Sequence, residues 1–146
     1  MTPEQARARF ASARVATLAT LAAGGRPRLV PIAFALDADT LYSVVDQKPK
    51  RTPELQRLRD VRADPRVCLL ADHYDEDWSS LWWARAEGTA RVLDPAEPEA
   101  RRAIDLLAAR YPQQRAAGAV LAVDVARWSG WSAAGPGAAT RERPDG

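Results

Sequence analysis

The stretch RLVPIAFALDADTLYSVVD, residues 28–46, decides how this chain folds. Apolar residues alternate along residues 28–36 and predict a strand with one apolar face, formed by Val30, Ile32, Phe34 and Leu36. The acidic segment 37–39 is typical of a tight turn, and residues 40–46 predict a second strand. Because the connection is short, the two strands are expected to pair antiparallel.

A further strand and a proline extend this prediction. Residues 14–21 also alternate and lead through a glycine-containing turn at 22–27 into the strand 28–36, so three strands form an antiparallel meander. Pro31 interrupts the pattern, because proline has no amide hydrogen to donate to a sheet. It therefore marks an edge strand or a bulge, or an opening where strand pairing stops and another group docks.

The rest of the chain adds three helices and three strands. Thr2 and Gln5 have capping-box spacing for a helix that continues to about Ser12. A second helix is capped by Thr52, with Pro53 in its first turn, and is followed by an apolar and therefore buried strand at 66–72 and a loop at 73–80. The next strand, at 81–94, is bulged at Gly88. A third helix starts at Asp94 and Pro95 and turns Ile104, Leu107, Ala108 and Tyr111 toward the core, and a last strand lies at 119–131.

These elements predict a mainly β fold. Six strands, mostly antiparallel, hide their edges best by closing into a small barrel flanked by helices. We expect a single barrel domain at residues 1–132 and a disordered C-terminal tail at 133–146.

The composition of the chain excludes few classes of function. The chain has 146 residues and a net charge of +2, which permits an anionic ligand without requiring nucleic acid. Cys68 is the single cysteine, so no internal disulfide can form, and a reducing, cytoplasmic location is expected. The N-terminal residues are charged and lack the apolar run of a signal peptide, and no apolar stretch is long enough for a membrane helix.

A basic segment follows the strand 40–46. Lys48 and Lys50 are the only two lysines of the chain, and Arg51 follows them directly before the helix that begins near Pro53. A helix N-terminus has unpaired N–H groups and attracts anions, while Pro49 limits the freedom of the segment. The segment therefore predicts a phosphate or carboxylate site; the alternative is an ordinary solvated loop.

Four stretches together carry a family resemblance: RLVPIAF (28–34), LYSVVDQKPKR (41–51), DPRVCLL (64–70) and DHYDEDWSSLWWARAEGTARV (72–92). The chain resembles the PPOX-class coenzyme F-420-dependent oxidoreductases, a branch of the pyridoxamine 5'-phosphate oxidase-like, FMN-binding split-barrel superfamily. The resemblance implies an antiparallel six-stranded split barrel and a homodimer with its cofactor at the subunit interface. It further implies hydride transfer between reduced F-420, a deazaflavin, and an unidentified small organic acceptor.

The resemblance also implies site residues. The ring of the cofactor would lie against Val30, Pro31, Ile32, Tyr42, Ser43 and Val44, and its phosphate would meet Arg28, Lys48, Lys50 and Arg51, with Arg57 as the alternative to Arg51. The flavin oxidases of the superfamily have a lysine where this chain has Ala33, which favours F-420 over FMN. FMN-dependent chemistry, or a carrier of flavin, deazaflavin or haem without turnover, remains the alternative.

Aromatic and charged residues elsewhere leave several alternatives open. Trp82 and Trp83 must face opposite sides of a strand, so Trp78 and Trp82 could stack on the cofactor, fill the core or anchor the interface. His73, in an acidic loop, is a weak metal candidate, and we expect no metal site. Two other roles for the loop stay open: it could cap the cofactor groove, or its acidic side chains could pair with arginines of the partner subunit. Arginines at positions 57, 59, 62 and 66 are interrupted by acidic residues, so nucleic-acid binding is not expected. No catalytic acid or base is evident, which fits chemistry carried by the cofactor.

Overall fold

Ten helices and strands make up the part of the chain that the computed structural model describes, which is residues 1–45, 53–113 and 118–134, without the side chains of 53–55. In chain order they are α1 (Pro3–Ser12), β1 (Ala16–Leu21), β2 (Pro27–Ile32), β3 (Ala35–Asp37), β4 (Thr40–Val44), α2 (Pro53–Ala63), β5 (Arg66–His73), β6 (Trp82–Leu93), α3 (Pro98–Arg110) and β7 (Val120–Ser132). The capping box of Thr2 and Gln5 is confirmed.

The strands form one antiparallel sheet in the order β2-β1-β5-β6-β7-β4-β3. The mainly β class with flanking helices is therefore confirmed. The two edge strands, β2 and β3, are separated in sequence by Ala33 and Phe34 alone. Because two residues must span from one edge of the sheet to the other, the sheet has to curl until its edges meet, which makes a split barrel.

The predicted strand 28–36 is thus two strands, and the sheet has seven described strands instead of six. The break has a physical cause at Phe34, whose ring is fully buried. Its carbonyl accepts a hydrogen bond from Arg110 Nη1 at 3.0 Å, and it shares the Tyr111 hydroxyl, 3.1 Å away, with the carbonyl of Arg14 at 2.7 Å. The C-terminal end of α3 therefore supplies the donors that a neighbouring strand would have given.

Two apolar clusters hold the barrel together. Inside it, Phe10 of α1 packs with its ring centroid 5.0 Å from Phe34 and 5.4 Å from Trp128. Outside it, α3 packs Leu107 against Tyr42 of β4. Both clusters are continuous with the sheet, so helices α1 and α3 fix the curvature of the strands on which the site depends.

Several finer predictions are corrected. The third helix begins at Pro98 instead of Asp94, because the Asp94 carboxylate accepts from the amide of Ala96 at 2.9 Å and forms a turn. Ala108 is exposed instead of facing the core. Strand β5 is not buried throughout, since only alternate residues face inward and Leu70 is 39% exposed.

Other predictions are confirmed. A register shift at Glu87 and Gly88 marks the bulge in β6, and a Cβ at Gly88 would lie 2.1 Å from the carbonyl oxygen of Asp124, so a larger residue does not fit. Pro31 lies on an edge strand, because β2 pairs only with β1 in the described part of the sheet.

Within the described ranges, no helix has the length and apolar character needed to cross a membrane.

Candidate functional site

A cavity of about 360 Å³ lies between the β1–β2 hairpin and helix α2. It is lined by Thr20, Arg28, Leu29, Val30, Gln56, Arg57 and Asp60. Antiparallel pairing sets Thr20 directly opposite Arg28, so both side chains project from the same face of the hairpin toward α2. Three of the predicted site residues, Arg28, Val30 and Arg57, are thereby brought together in one cavity.

Asp60 is the most buried charged group of the cavity, with 2% of its side chain exposed. Its carboxylate accepts from the Thr20 hydroxyl at 3.0 Å and from the Gln56 amide at 3.1 Å. It also forms an ion pair with Arg28, whose Nε lies 3.3 Å away. A buried carboxylate is tolerated only when it is bonded and paired in this way, so Asp60 is the anchor of the cavity floor.

Arg28 is anchored by one end of its guanidinium group. The Nε contact to Asp60 is its single ion pair among the described residues, and nearly half of its side chain remains exposed. Its two Nη atoms form no hydrogen bond within residues 1–45, 53–113 and 118–134. A guanidinium held at Nε keeps its Nη donors available for an anion, which it binds with two parallel hydrogen bonds.

The two arginines of the cavity make it a candidate site for an anion such as phosphate. Arg28 and Arg57 supply positive charge, and Val30, on the same face of β2 as Arg28, supplies an apolar wall beside it. The cavity lies against α2, the helix that follows the basic segment in sequence. Lys48, Lys50 and Arg51, and the predicted cap Thr52, lie outside the described residues, so their contribution remains a prediction.

The predicted ring-binding residues flank the break between β2 and β3. Pro31 is exposed on edge strand β2, and Ile32 is buried in the barrel core. On β4, Tyr42, Ser43 and Val44 are all buried. β3 stops opposite Tyr42, so Ser43 and Val44 pair with β7 alone in the described sheet.

The side chain of Tyr42 contacts helix α3. Its hydroxyl donates to Glu99 of α3 at 3.3 Å, and burial together with the Glu99 charge raises the pKa of the phenol. The side chain lies in the apolar cluster beneath α3, away from the cavity at α2. Neither Tyr42 nor its neighbours on β4 line that cavity.

The tryptophans do not line the described cavity. Trp78 is 67% exposed, and Trp82 packs partly against the barrel core with Arg9 5.5 Å from its ring centroid. Trp83 lies on the opposite face of β6, where Arg85 is 5.1 Å from its ring. The opposed orientation of Trp82 and Trp83 is therefore observed, whereas cofactor stacking by Trp78 or Trp82 stays a prediction.

His73 and Cys68 have ordinary surroundings. Nε2 of His73 lies 3.8 Å from Asp75, and no group of three metal-ligating side chains occurs in the described part of the chain. Cys68 is half-buried on the outer face of β5, and burial raises the pKa of its thiol, so the thiolate is disfavoured.

Sequence reasoning missed the floor of the cavity. Asp60 is one of the acidic residues that interrupt the arginines at positions 57, 59, 62 and 66, and the sequence predicts no role in the site for Asp60, Thr20 or Gln56. One signal was present: Gln56 and Asp60 are four residues apart and share a helix face, next to the buried Leu58 and Val61. A carboxylate beside a buried helix stripe requires a partner, and Arg28 is that partner.

Comparisons with known proteins agree with this fold. The pyridoxamine 5'-phosphate oxidase family matches residues 2–132. A conserved hypothetical protein of Mycobacterium tuberculosis is 25% identical, with a TM-score of 0.70 over 91% of this chain and 85% of the other. A FAD-binding protein of Mesorhizobium loti is 19% identical, with a TM-score of 0.69 over 89% and 92% of the two chains. The heme storage protein HutZ of Vibrio cholerae is 14% identical, with a TM-score of 0.65 over 90% and 95%. The chain therefore belongs to the pyridoxamine 5'-phosphate oxidase family.

Proposed function

We propose that this protein is an F-420-dependent oxidoreductase that transfers a hydride between reduced F-420 and a small organic acceptor. The observation that carries the proposal is the cavity beneath the β1–β2 hairpin, where Arg28 and Arg57 meet beside the start of α2. Family membership supports a phosphate-bearing redox cofactor, and the sequence resemblance favours a deazaflavin. When bound, the deazaflavin supplies the hydride chemistry, and the protein supplies binding and orientation.

Each part of the cavity has a separate role in this proposal. Arg28 and Arg57 bind the phosphate, assisted by Lys48, Lys50 and Arg51. Val30, on the same face of β2 as Arg28, lies beside the linker between phosphate and ring. The ring lies along the edge of β2, whose outer backbone groups have no partner strand in the described sheet, and near Ser43 and Val44 across the break. Polar atoms of the ring edge can hydrogen-bond such backbone groups.

A homodimer is part of the same proposal. Leu29 of β2 is 72% exposed, and Leu70 of β5 projects from the same outer face of the sheet. Large apolar side chains on one sheet face favour burial against another protein surface.

The experiment is a titration of the purified protein with F-420 and with FMN in parallel, followed by fluorescence. We expect tight binding of F-420 and weaker binding of FMN. Preference for FMN would assign the protein to the flavin-dependent branch despite Ala33. Binding of neither cofactor would contradict the proposal and leave the cavity without a ligand.

Turnover distinguishes an enzyme from a carrier. The protein loaded with reduced F-420 is mixed with candidate acceptors, and reoxidation is compared with that of free reduced F-420. Faster reoxidation by the bound cofactor supports an oxidoreductase. Equal or slower reoxidation across every acceptor would favour a carrier that sequesters the cofactor.

A further inference from the structure

We propose that Asp60 is a positioning residue, which strengthens binding of the phosphate-bearing cofactor by fixing the guanidinium group of Arg28. The inference rests on the proposed function and deepens it, because it gives a buried carboxylate a favourable part in binding an anion. Charge alone predicts the opposite, since a carboxylate repels a phosphate. The two effects differ in sign, so an experiment separates them.

The first step is that three elements of the fold meet at one oxygen atom of Asp60. Oδ2 of this α2 residue accepts from the Thr20 hydroxyl of β1 at 3.0 Å and lies 3.3 Å from Nε of Arg28 on β2. Thr20 and Arg28 are directly opposite each other in the hairpin. The Oδ2 atom therefore joins both strands to the helix at the floor of the cavity.

The second step is that the carboxylate has a fixed orientation. Its other oxygen, Oδ1, accepts from the Gln56 amide at 3.1 Å, and only 2% of the Asp60 side chain is exposed. Thr20 is also buried. A carboxylate that is bonded at both oxygens and enclosed by packing keeps one orientation, so it offers Arg28 a fixed partner.

The third step is the effect of a fixed partner on an exposed arginine. The Arg28 side chain is 48% exposed, so without Asp60 it would sample several rotamers and lose that freedom when an anion binds. The contact at Nε restricts the side chain beforehand, which lowers the entropic cost of binding. Its two Nη atoms have no partner among residues 1–45, 53–113 and 118–134, so they remain donors for two oxygens of a phosphate.

The test is a double-mutant cycle of Asp60→Asn and Arg28→Gln, with the Kd measured for whichever cofactor, F-420 or FMN, wild type binds more tightly. Asparagine keeps the shape of Asp60 and removes its charge. With Arg28 present, we expect Asp60→Asn to weaken binding on the order of fivefold, because a neutral acceptor holds the guanidinium less strongly. In Arg28→Gln, we expect the same change to leave the affinity unchanged or to raise it, because only repulsion of the anion is then removed.

This comparison does not depend on the total charge of the site. Asp60→Asn removes the same charge in both backgrounds, so the other basic residues enter both comparisons alike. Equal weakening in both backgrounds would show that Asp60 acts by holding α2 in place or through another group such as Arg57, and it would overturn the inference. Tighter binding by Asp60→Asn with Arg28 present would show that repulsion prevails, and it would overturn the inference as well.

A second variant reaches the same carboxylate without changing its charge. Thr20→Val keeps the side-chain volume and removes the hydroxyl that donates to Oδ2. We expect cofactor affinity to fall by about threefold with Arg28 present and to stay unchanged in Arg28→Gln. Wild-type affinity in folded Thr20→Val would show that the orientation of the carboxylate has no effect on binding, contrary to the inference.

The matched control is Asp64→Asn. Asp64 follows directly after α2, but it pairs with Arg66 at 2.6 Å and does not line the cavity. We expect this variant to bind the cofactor with wild-type affinity. A loss as large as that of Asp60→Asn would show a general surface effect and overturn the inference.

The outcomes separate the two proposals. If wild type binds neither cofactor, the proposed function fails and the role of Asp60 fails with it. If wild type prefers FMN, the F-420 assignment fails, while the cycle measured with FMN still tests Asp60. If wild type binds F-420 and Asp60→Asn does not weaken binding, the proposed function stands and the positioning role is overturned. A loss of affinity in Asp60→Asn that disappears in Arg28→Gln supports the inference.

Discussion

Arg28 begins the stretch 28–36 and Arg110 of α3 contacts its C-terminal part, and the two guanidinium groups differ in how many of their donors have partners. Arg110 meets its C-terminal end at the strand break, where the guanidinium donates to the carbonyls of Phe34 at 3.0 Å, Ala11 at 3.1 Å and Ala13. It also lies 4.7 Å from the centroid of the Phe34 ring. Arg28, at the other end, has one carboxylate partner at Nε among the described residues.

The difference separates a structural arginine from a ligand-binding one. Arg110 has donors directed to three backbone carbonyls, so its hydrogen-bonding capacity is used in joining α1, α3 and the strand break. Arg28 lines a cavity, and Nε is its one donor with a partner among the described residues. An arginine with a satisfied guanidinium should affect stability, and one held only at Nε should affect binding.

The largest expected effect is that of Arg110→Met. The variant leaves the carbonyls of Ala11 and Ala13 without this donor and leaves Phe34 with Tyr111 alone. Hydrogen bonds from charged donors contribute about 1.5–3 kcal/mol, so we expect the free energy of unfolding to fall by about 3 kcal/mol. Urea denaturation followed by tryptophan fluorescence measures the change.

Arg102→Met is the control for this variant. Arg102 is an exposed residue of the same helix, and its replacement should change stability by less than about 0.5 kcal/mol. Cofactor affinity of folded Arg110→Met should match that of wild type. Equal stability of Arg110→Met and Arg102→Met would show that the strand break does not depend on the guanidinium.

The next effect is that of Arg28→Gln on cofactor binding. Glutamine keeps a polar stem but cannot form a charged, two-donor contact with phosphate, so we expect F-420 affinity to fall by about tenfold or more. Stability should fall less than in Arg110→Met, by about 1 kcal/mol, because Asp60 keeps Thr20 and Gln56. Arg26→Gln, in the exposed hairpin turn, is the matched control and should bind normally.

The parts of the fold that depend on residues close together in sequence could be predicted. Alternation in residues 14–21 and 28–36, the capping box at Thr2 and the bulge at Gly88 all follow from side-chain period and backbone chemistry. The split of 28–36 was not predictable in the same way. Phe34 continues the alternation, and the break depends on donors from Arg110 and Tyr111, which lie 76 and 77 residues away in sequence.

The candidate site was predictable only in part, for a related reason. Arg28 and Arg57 were expected at a phosphate site through family resemblance, and the structure brings them together. Asp60 was missed because a carboxylate among arginines in sequence looks like a solvated surface. Its burial depends on the packing of α2 over the β1–β2 hairpin, which no local pattern encodes.

Replacement of a third arginine, Arg91, should have the smallest effect on stability and tests whether pairing or burial decides that effect. Arg91 is as fully paired as Arg110, since it forms two-donor contacts with Asp124 at 2.6 and 3.0 Å and with Glu99 at 3.0 Å. However, its side chain is 42% exposed, and water screens exposed ion pairs. We therefore expect Arg91→Met to lower the free energy of unfolding by at most about 1 kcal/mol at pH 7.

The stability lost in Arg91→Met should become smaller as the pH falls. The hydrogen bonds from Arg91 lower the pKa of Glu99 below its ordinary value of 4.5. The stabilisation from this pair is therefore complete above pH 4.5 and is lost as pH falls through the pKa of the folded state. The stability difference between wild type and Arg91→Met should narrow between pH 5 and pH 3 in urea titrations. Asp64 pairs with Arg66 in both proteins, so its contribution cancels, whereas Glu99 and Asp124 both lose Arg91 in the variant. A difference that is constant or wider at pH 3 would therefore exclude the carboxylate partners of Arg91 as its source.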